Sequence, residues 1–296
     1  MPAKYFECPT GEIIEISACL KECQRNTRCL FLPTLRAVAK SLDRGLPSFT
    51  ITELISGSRE VFLRRKEDYV VNPVKRLYAL HGTAFHAVND GFTQGEILSE
   101  ERLYGEQCSG QFDVYGAVLD ESTETLGDLK VASSYKLMKA LGIYRVDVPT
   151  GEVYKTGPRK GEIKTVKQWR HDGVRHIYEW SVQLNFYRTL VQAQGLAVKR
   201  MVIQALCRDA GLRVANERGI DREAYLIDVN PISNQWIFRY VNAKTSMLQK
   251  AMETGIAPPP CRPRERWHGR KCRDYCDVAA HCDYGRQLTG ATESAA

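Results

Sequence analysis

The sequence has no run of 18 apolar residues, and its opening residues, MPAKYFECPTGE, lack the apolar core of a signal peptide. We therefore expect no membrane-spanning helix and no export, and hence a cytoplasmic protein. A phosphate-binding loop of the form G-x-x-x-x-G-K-[ST] is also missing, which argues against a helicase motor in this chain. What is left is a water-soluble globular protein, because a hydrophobic content of 43% is enough for a substantial core.

Positive charge is concentrated in two stretches of the chain, whose formal net charge is +7. Residues 155–175 hold seven Lys or Arg against two acids, and residues 262–273 hold six against one. Such clusters suit a polyphosphate partner, although solvated loops often have the same composition. The charge pattern leaves both interpretations open.

Eight of the ten cysteines fall into two quartets near the two ends of the chain. Both quartets have the spacing C-x10-C-x3-C-x5-C. In a chain without an export signal, this pattern favours metal ligation over disulfides. The first quartet is Cys8, Cys19, Cys23 and Cys29, and the second is Cys261, Cys272, Cys276 and Cys282. Cys108 and Cys207 lie between the quartets and are expected to be ordinary buried thiols.

Two structural zinc sites are the preferred interpretation of the quartets, because four thiolates suit tetrahedral Zn2+ and local ligands close short loops. Basic neighbours such as Arg25, Arg28 and Lys271 would offset the thiolate charge. A [4Fe–4S] cluster takes the same four ligands and stays open as the alternative. Unrelated buried cysteines would not explain why the spacing repeats.

Between the quartets, short apolar strands alternate with amphipathic helices, which predicts an α/β fold. We expect a four-cysteine module at 1–35, a core at 36–257, a second module at 258–286 and a disordered tail at 287–296. A basic hairpin insertion is expected at about 144–175. A helix capped by Thr83 is expected to carry His86 one turn in.

The stretch LGDLKVAS, residues 126–133, combines a strand pattern with an acid and a lysine two residues apart. Alternation places Asp128 and Lys130 on one face, and Leu129 on the other. A surface ion pair is the ordinary explanation, and a metal ligand beside a lysine that handles a reacting water is the functional one. The preceding strand, QFDVYGAVLD, is predicted to lie antiparallel to this one, which would bring Asp113 close to Asp128.

Four features follow one another along the chain: His86 on a helix, Asp113 in G-x-x-D, Asp128-x-Lys130, and Gln183-x-x-x-Tyr187 on a later helix. In this order and context, residues 80–195 resemble the PD-(D/E)XK nucleases of the RecB type. Those include the nuclease domains of RecB and AddB, CRISPR-associated relatives and phage exonucleases. A second Gln-x-x-x-Tyr, Gln111 to Tyr115, is discounted because it lies in a predicted strand. The resemblance implies a restriction-endonuclease-like mixed central sheet flanked by helices. The cysteine-rich metal-binding modules at both termini are inferred from the quartets themselves and not from the family.

The resemblance also implies a role for each motif residue. His86, Asp113, Asp128 and the backbone carbonyl of Leu129 would hold Mg2+ or Mn2+, for which carboxylates are suitable ligands, while the imidazole shifts the preference toward Mn2+. Asp113, Asp128 and Lys130 would be catalytic, with Lys130 positioning or helping to deprotonate the attacking water. Gln183 and Tyr187, one helical turn apart, would contact DNA and brace the site.

The expected function is a metal-dependent deoxyribonuclease, more specifically an exonuclease in DNA repair, recombination or the processing of phage or mobile-element DNA. DNA is the expected partner, with a helicase, a recombinase or a single-strand annealing protein as a further candidate, in a bacterial or phage-infected cell. The alternatives are a zinc-bearing nucleic-acid-binding or assembly module with a non-catalytic nuclease fold, and a restriction-type endonuclease. Iron–sulfur relatives usually carry one cysteine before the motifs and three after, whereas this chain has four and four.

Overall fold

The computed structural model describes residues 3–43, 48–120, 124–173 and 177–290. Within these ranges the chain is α/β, with mixed sheets and flanking helices, so the class expected from the sequence is confirmed. None of the helices in these ranges is long and apolar enough to cross a membrane.

The first cysteine segment is a small hairpin followed by helices. Its elements are β1 (Tyr5–Glu7), β2 (Ile13–Glu15), α1 (Ile16–Lys21) and α2 (Leu32–Leu42). Pro33 lies in the first turn of α2, where a missing amide proton costs nothing because the first amides of a helix have no partner within it.

Short helices lead from this segment to the long helix α5. The elements are β3 (Phe49–Thr50), α3 (Ile51–Leu54), α4 (Ser58–Lys66), β4 (Val70–Val71) and α5 (Leu77–Gly91). The prediction that Thr83 caps the helix of His86 is wrong, because α5 already begins at Leu77. The Thr83 hydroxyl instead donates to the carbonyl of Ala79, 3.2 Å away, inside the helix.

The next part of the chain supplies most of the sheet strands. The elements are β5 (Leu98–Ser99), β6 (Arg102–Tyr104), β7 (Cys108–Gln111), β8 (Val114–Gly116), β9 (Thr125–Ala132) and α6 (Ser134–Ala140). The expected single strand QFDVYGAVLD is thus divided, because the chain passes from one sheet to another at Phe112 and Asp113. Phe112 and Tyr115, on either side of this division, are both buried, and the centres of their rings lie 6.4 Å apart.

The expected basic hairpin is a two-stranded sheet, and further elements complete the core. These are β10 (Ile143–Val153), β11 (Ile163–His171), α7 (Tyr178–Ala193), β12 (Arg200–Cys207), α8 (Arg213–Asn216), β13 (Ala224–Asp228) and α9 (Asn234–Thr254). Gly255 follows α9 with a φ of +71°, the left-handed conformation that glycine adopts without strain at a helix end.

The C-terminal cysteine segment ends in two short helices, α10 (Arg270–Asp274) and α11 (Asp283–Thr289). The expectation of a disordered tail from residue 287 is wrong at its start, because residues 287–289 belong to α11. The rest of that expectation, from residue 291, lies outside the described residues.

The central sheet has the order β13-β12-β9-β8-β5. Only β12 and β9 are parallel, and the other neighbours are antiparallel, as predicted for β8 and β9. Leu126 and Ile203 of this sheet are buried in one core cluster, which also includes Phe6 and Val278 of the two cysteine segments. Both segments therefore pack into the core of the sheet domain.

Candidate metal centre

The pairing of β8 with β9 brings Asp113 beside the DLK stretch. Val114 lies opposite Gly127, so Asp113, one residue earlier, faces the middle of β9. The backbone N–H of Leu129 donates to Asp113 Oδ2 over 2.5 Å in the protein interior. A Cβ on Gly127 would lie only 2.6 Å from Val114 Cγ1, so glycine permits this close approach of the strands.

Asp128 and Lys130 form an ion pair on β9, as their shared face predicts. Lys130 Nζ lies 2.6 Å from Asp128 Oδ2, and the two side chains are 20% and 0% exposed. An ordinary surface ion pair is therefore the wrong explanation. Asp128 Oδ1 is buried without a hydrogen-bond donor among the described residues. A buried carboxylate oxygen in this state is suited to accept a cation, because leaving it unpaired is costly.

His86 lies on α5 between two acids. Its Nδ1 is 3.0 Å from Glu100 Oε1 and 3.5 Å from Asp113 Oδ1. Among the described residues these three side chains form the single group whose ligand atoms all lie within 4.8 Å of one another, a suitable set for a divalent cation. We call His86, Glu100, Asp113, Asp128 and Lys130 together the carboxylate centre.

Glu100 was missed by sequence reasoning. It follows β5 with a φ of +50°, and its backbone N–H donates to the carbonyl of Asp113 over 3.1 Å. The left-handed conformation turns the chain toward α5, a feature that the surrounding residues SEERL do not indicate. No motif spacing could have identified this residue.

A hydrogen-bond chain holds the Glu100 carboxylate in place. Gln111 Nε2 donates to Glu100 Oε2 over 2.7 Å, and Arg102 donates to Gln111 Oε1 over 2.7 Å. Gln111 is the first residue of the discounted Gln-x-x-x-Tyr copy. It supports the centre from β7, a role that the motif assignment did not give it.

Burial and crowded negative charge set the protonation of the centre. Burial, and then the charge of Asp128, raise the pKa of Asp113 to about 7, against the opposing effects of Lys130 and His86. The hydrogen bond to Glu100 raises the pKa of His86. Burial disfavours the Lys130 ammonium, but the charges of Asp128 and Asp113 outweigh this and raise the pKa of Lys130. Crowded carboxylates in a buried site thus favour the binding of protons by this centre.

Gln183 and Tyr187 lie on α7, one turn apart, as predicted. Gln183 Nε2 donates to the Tyr187 hydroxyl over 2.7 Å. Tyr187 is only 3% exposed, and its ring packs so closely on Gly110 that a Cβ there would lie 2.7 Å away. Tyr187 can therefore brace the sheet, which is one of its two expected roles. It offers little surface to a substrate, which does not fit the other expected role, contact with DNA. Gln183 is partly exposed.

The predicted ligand set is brought together only in part. His86 and Asp113 lie in the compact group with Glu100, whereas the close contact of Asp128 is with Lys130. For Leu129, the contact with Asp113 is made by the backbone N–H, and its carbonyl as a ligand stays a prediction.

A cleft of about 340 Å3 reaches Asp113 and Asp128 from the surface. The C-terminal end of α5 and the strands β12 and β13 supply its walls, with Phe92, Leu119 and Leu226 as exposed apolar members. The carboxylates are therefore accessible to a ligand although each is buried.

Each cysteine quartet lines a pocket of its own. The N-terminal quartet lines one of about 300 Å3 together with Arg25 and Arg28, and the C-terminal quartet lines one of about 30 Å3 beside Glu60 and Lys271. In neither quartet do three sulfurs lie within 4.8 Å of one another. Tetrahedral zinc needs sulfurs about 3.8 Å apart. The four cysteines of each quartet line one pocket, but their sulfurs lie farther apart than in a closed zinc site.

Comparison of the chain with known protein families and with curated protein sequences gives no match.

Proposed function

We propose that this chain is a divalent-metal-dependent deoxyribonuclease with the restriction-endonuclease-like architecture of RecB-type PD-(D/E)XK enzymes. The observation that carries the proposal is the buried Asp128–Lys130 ion pair on β9, with Asp113 of the adjoining strand hydrogen-bonded to Leu129 between them. An acid and a lysine on one strand, beside a second acid, are the groups that metal-assisted phosphodiester hydrolysis needs.

The sheet supports this proposal independently of the side chains. The antiparallel pair β8–β9 carries the two aspartates, β12 continues the sheet in parallel, and α7 packs behind it with Tyr187 buried. A mixed central sheet flanked by helices is the architecture that the resemblance implies.

Four side chains would hold Mg2+ or Mn2+: His86, Glu100, Asp113 and Asp128. Such an ion, when bound, neutralises phosphate charge and activates water. The buried oxygen of Asp128 and the compact His86–Glu100–Asp113 group fit a cation of this kind.

Lys130 is the group of this chain best placed to act on the phosphate. Its ammonium stays protonated, because the adjacent carboxylates raise its pKa. It can therefore donate hydrogen bonds to a developing oxyanion and orient the attacking water. The cleft beside Asp113 and Asp128 gives a nucleotide room to enter, and the partly exposed Gln183 lies on the helix behind the site.

The two quartets are proposed as structural zinc sites, with a [4Fe–4S] cluster as the alternative for either. The convergence of four cysteines on each pocket supports metal ligation. Cobalt substitution with tetrahedral thiolate absorption would support zinc, whereas a brown protein absorbing near about 400 nm would indicate iron–sulfur.

The function is tested by incubating end-labelled linear DNA and closed circular DNA with Mg2+ or Mn2+. We expect degradation of linear DNA only, and a loss of at least about 1,000-fold in Asp128→Asn and in Lys130→Gln. Glu253→Gln, an exposed acid on α9, is the matched control and should keep wild-type activity.

Each other result has a definite meaning. Cutting of the circle would favour a restriction-type endonuclease. Tight DNA binding with no cleavage under either metal would contradict the nuclease and favour a zinc-bearing binding module. Stimulation by a co-purifying helicase, recombinase or annealing protein would identify the expected partner.

A further inference from the structure

We call the hairpin β10–β11, residues 143–171, the ribbon. None of its residues belongs to the carboxylate centre. Its register runs from Ile143 opposite His171 to Val153 opposite Ile163. At about 3.3 Å per residue this is a length of about 33 Å. Apart from its base beside α6, nearly all its side chains are exposed. Neither face of the ribbon is covered.

The charge of the ribbon indicates the kind of partner that would bind to it. Seven basic residues stand against three acidic ones between Ile143 and His171. Two of the acids are already paired, Glu162 with Arg159 and Glu152 with Lys164. Lys155, Lys160 and Lys167 are exposed and have no acidic partner within 4.0 Å in the described parts of the chain. The surplus favours a polyanion and disfavours a second copy of the same ribbon.

The aromatic side chains of the ribbon favour contact with a nucleic-acid backbone over the stacking of bases. The guanidinium of Arg145 lies 4.2 Å from the centre of the Trp169 ring, and that of Arg159 lies 4.7 Å from the Tyr154 ring. Proteins that bind single strands present open ring faces on which successive bases stack. Here one face of each ring is taken by a cation, so the cations are held in place to meet phosphates.

A path of cations over aromatic rings joins the carboxylate centre to the base of the ribbon. The Lys136 ammonium lies 4.8 Å from the Trp180 ring, and the Arg208 guanidinium lies 4.1 Å from the Tyr78 ring. Burial of its ammonium against Trp180 is the main cause that lowers the pKa of Lys136, and the positive charges of Lys130 and Arg208 lower it further.

The path continues to the ribbon through α6 and α8. Arg218 lies over the ring of Tyr135, next to Lys136 on α6, and donates to the Ser134 hydroxyl over 2.8 Å. The carbonyl of its neighbour, Glu217, accepts a hydrogen bond from Arg145 of β10. Separate cations over aromatic rings therefore lie on α6 and on the loop after β12, and contacts of Arg218 and of the Glu217 carbonyl connect α6 with the base of the ribbon.

We infer that the ribbon is an arm that binds duplex DNA and holds it while one end enters the carboxylate centre. The inference rests on the proposed function and adds the form of the substrate to it. A two-stranded ribbon fits the major groove of B-DNA, which is about 12 Å wide, and the ribbon's length matches one helical turn of about 34 Å.

The test compares Lys155→Gln/Lys160→Gln/Lys167→Gln with the control Lys21→Gln/Lys40→Gln/Lys250→Gln, in which three exposed lysines outside the ribbon are neutralised. Binding of a duplex of about 20 base pairs and of its single strand is measured in EDTA at several salt concentrations. For the ribbon variant we expect a loss of duplex affinity on the order of tenfold and a salt slope lower by about 3. Single-strand affinity, and cleavage of the single strand with Mn2+, should stay within about twofold of wild type, as should every value of the control.

Unchanged duplex affinity in the ribbon variant would overturn the inference, and so would an equal loss of affinity for the duplex and for the single strand.

A second variant removes the outer part of the ribbon. It joins Val146 to Gln168, which lie opposite each other, by an Asn-Gly turn. If this variant loses self-association in sedimentation and keeps duplex affinity, a second copy covers the ribbon and the inference fails. If wild type cleaves no DNA but its duplex binding still depends on the ribbon lysines, the nuclease proposal fails and the arm stands.

Discussion

The carboxylate centre and the cysteine quartets differ in how their ligand atoms are held. In the centre, His86, Glu100 and Asp113 bring their ligand atoms within 4.8 Å of one another, and hydrogen bonds from Leu129 and Gln111 fix the two carboxylates. In the quartets the cysteines share a pocket, but no three sulfurs come that close. The ligand atoms of the centre are thus held close together by the sheet and its hydrogen bonds, whereas the sulfurs of each quartet surround a pocket at longer separations.

The two quartets also differ from each other, although their spacing is identical. The C-terminal pocket is about 30 Å3 and the N-terminal one about 300 Å3. Burial raises the pKa of Cys276 in the C-terminal quartet to about 12. Equal spacing therefore does not give equal surroundings, and a metal must displace protons from more deeply buried thiols at the C-terminal site.

The largest effect that would sharpen this comparison is on stability. We expect Cys276→Ala to lower the free energy of unfolding of the zinc-loaded protein by more than about 4 kcal/mol. The variant would lose one of four zinc ligands, and the binding free energy of a structural metal contributes to the stability of the fold. That loss of stability corresponds to roughly 10 °C in the melting temperature. Cys207→Ala, a buried cysteine outside both quartets, is the control and should cost much less.

The same pair of variants separates metal ligation from packing. After chelation of zinc, wild type and Cys276→Ala should unfold at nearly the same temperature. Equal costs for Cys276→Ala and Cys207→Ala in the loaded protein would contradict a metal site in the C-terminal quartet. Removal of Mg2+ should also lower the melting temperature, because an ion that binds only the folded state stabilises that state.

Sequence reasoning was successful where the information is local. The alternation in LGDLKVAS placed Asp128 and Lys130 together, and the period of the later helix placed Gln183 and Tyr187 one turn apart. The pairing of β8 with β9 also followed from two short apolar stretches and a polar turn. These features depend on contacts between neighbours in the sequence, or on a single turn, and so the pattern of residue types determines them.

The rest depends on contacts that no pattern specifies. Glu100 reaches His86 through a left-handed backbone turn and through the pairing of β5 with β8. QFDVYGAVLD is divided between two sheets, and this division puts Gln111 beside Glu100. It depends on the strands that pair with each half, β3 and β6 with β7, and β5 and β9 with β8. The depth of Tyr187 follows from the glycine at position 110, against which its ring packs. Tertiary packing decides all three.

The next effect concerns the residue that the motifs missed. We expect Glu100→Gln to weaken Mn2+ binding by about 10- to 100-fold, because an uncharged amide replaces a ligand that also orients His86. Titration calorimetry with Mn2+ measures this directly. The pKa of His86, followed by NMR, should fall in the variant, since the hydrogen bond to Glu100 is the main cause of its increase. Glu101→Gln, the exposed acid next in the chain, is the control.

The dependence of stability on pH is a smaller effect, and the pKa shifts determine its direction. Because the pKa of Asp113 is raised from 3.8 to about 7, the metal-free folded state holds a proton that the unfolded state has lost between these values. The stability contributed by this proton is present at low pH and falls as the pH rises toward 7. The raised pKa of His86 acts in the same direction, since a protonated imidazole favours the folded state until the pH passes its folded pKa.

We therefore expect the metal-free protein to lose roughly 2 to 3 kcal/mol of this contribution between about pH 5 and about pH 8. Mn2+ should bind more tightly at the higher pH, because it requires the deprotonated carboxylate. Denaturant unfolding of wild type and Asp113→Asn at both pH values isolates the contribution. Identical pH dependence in the two proteins would show that Asp113 does not titrate in this range.

The smallest effect tests whether Tyr187 braces the centre or touches the substrate. Tyr187→Phe removes the hydroxyl that accepts a hydrogen bond from Gln183 but leaves the buried ring against Gly110. A single neutral hydrogen bond contributes about 1 kcal/mol, so we expect that loss of stability and a decrease in DNA cleavage of only a few-fold. DNA affinity in EDTA should not change, because the ring and hydroxyl are almost wholly buried. A large loss of DNA affinity with unchanged stability would restore the substrate contact that the motif implied, and would require α7 to open when DNA binds.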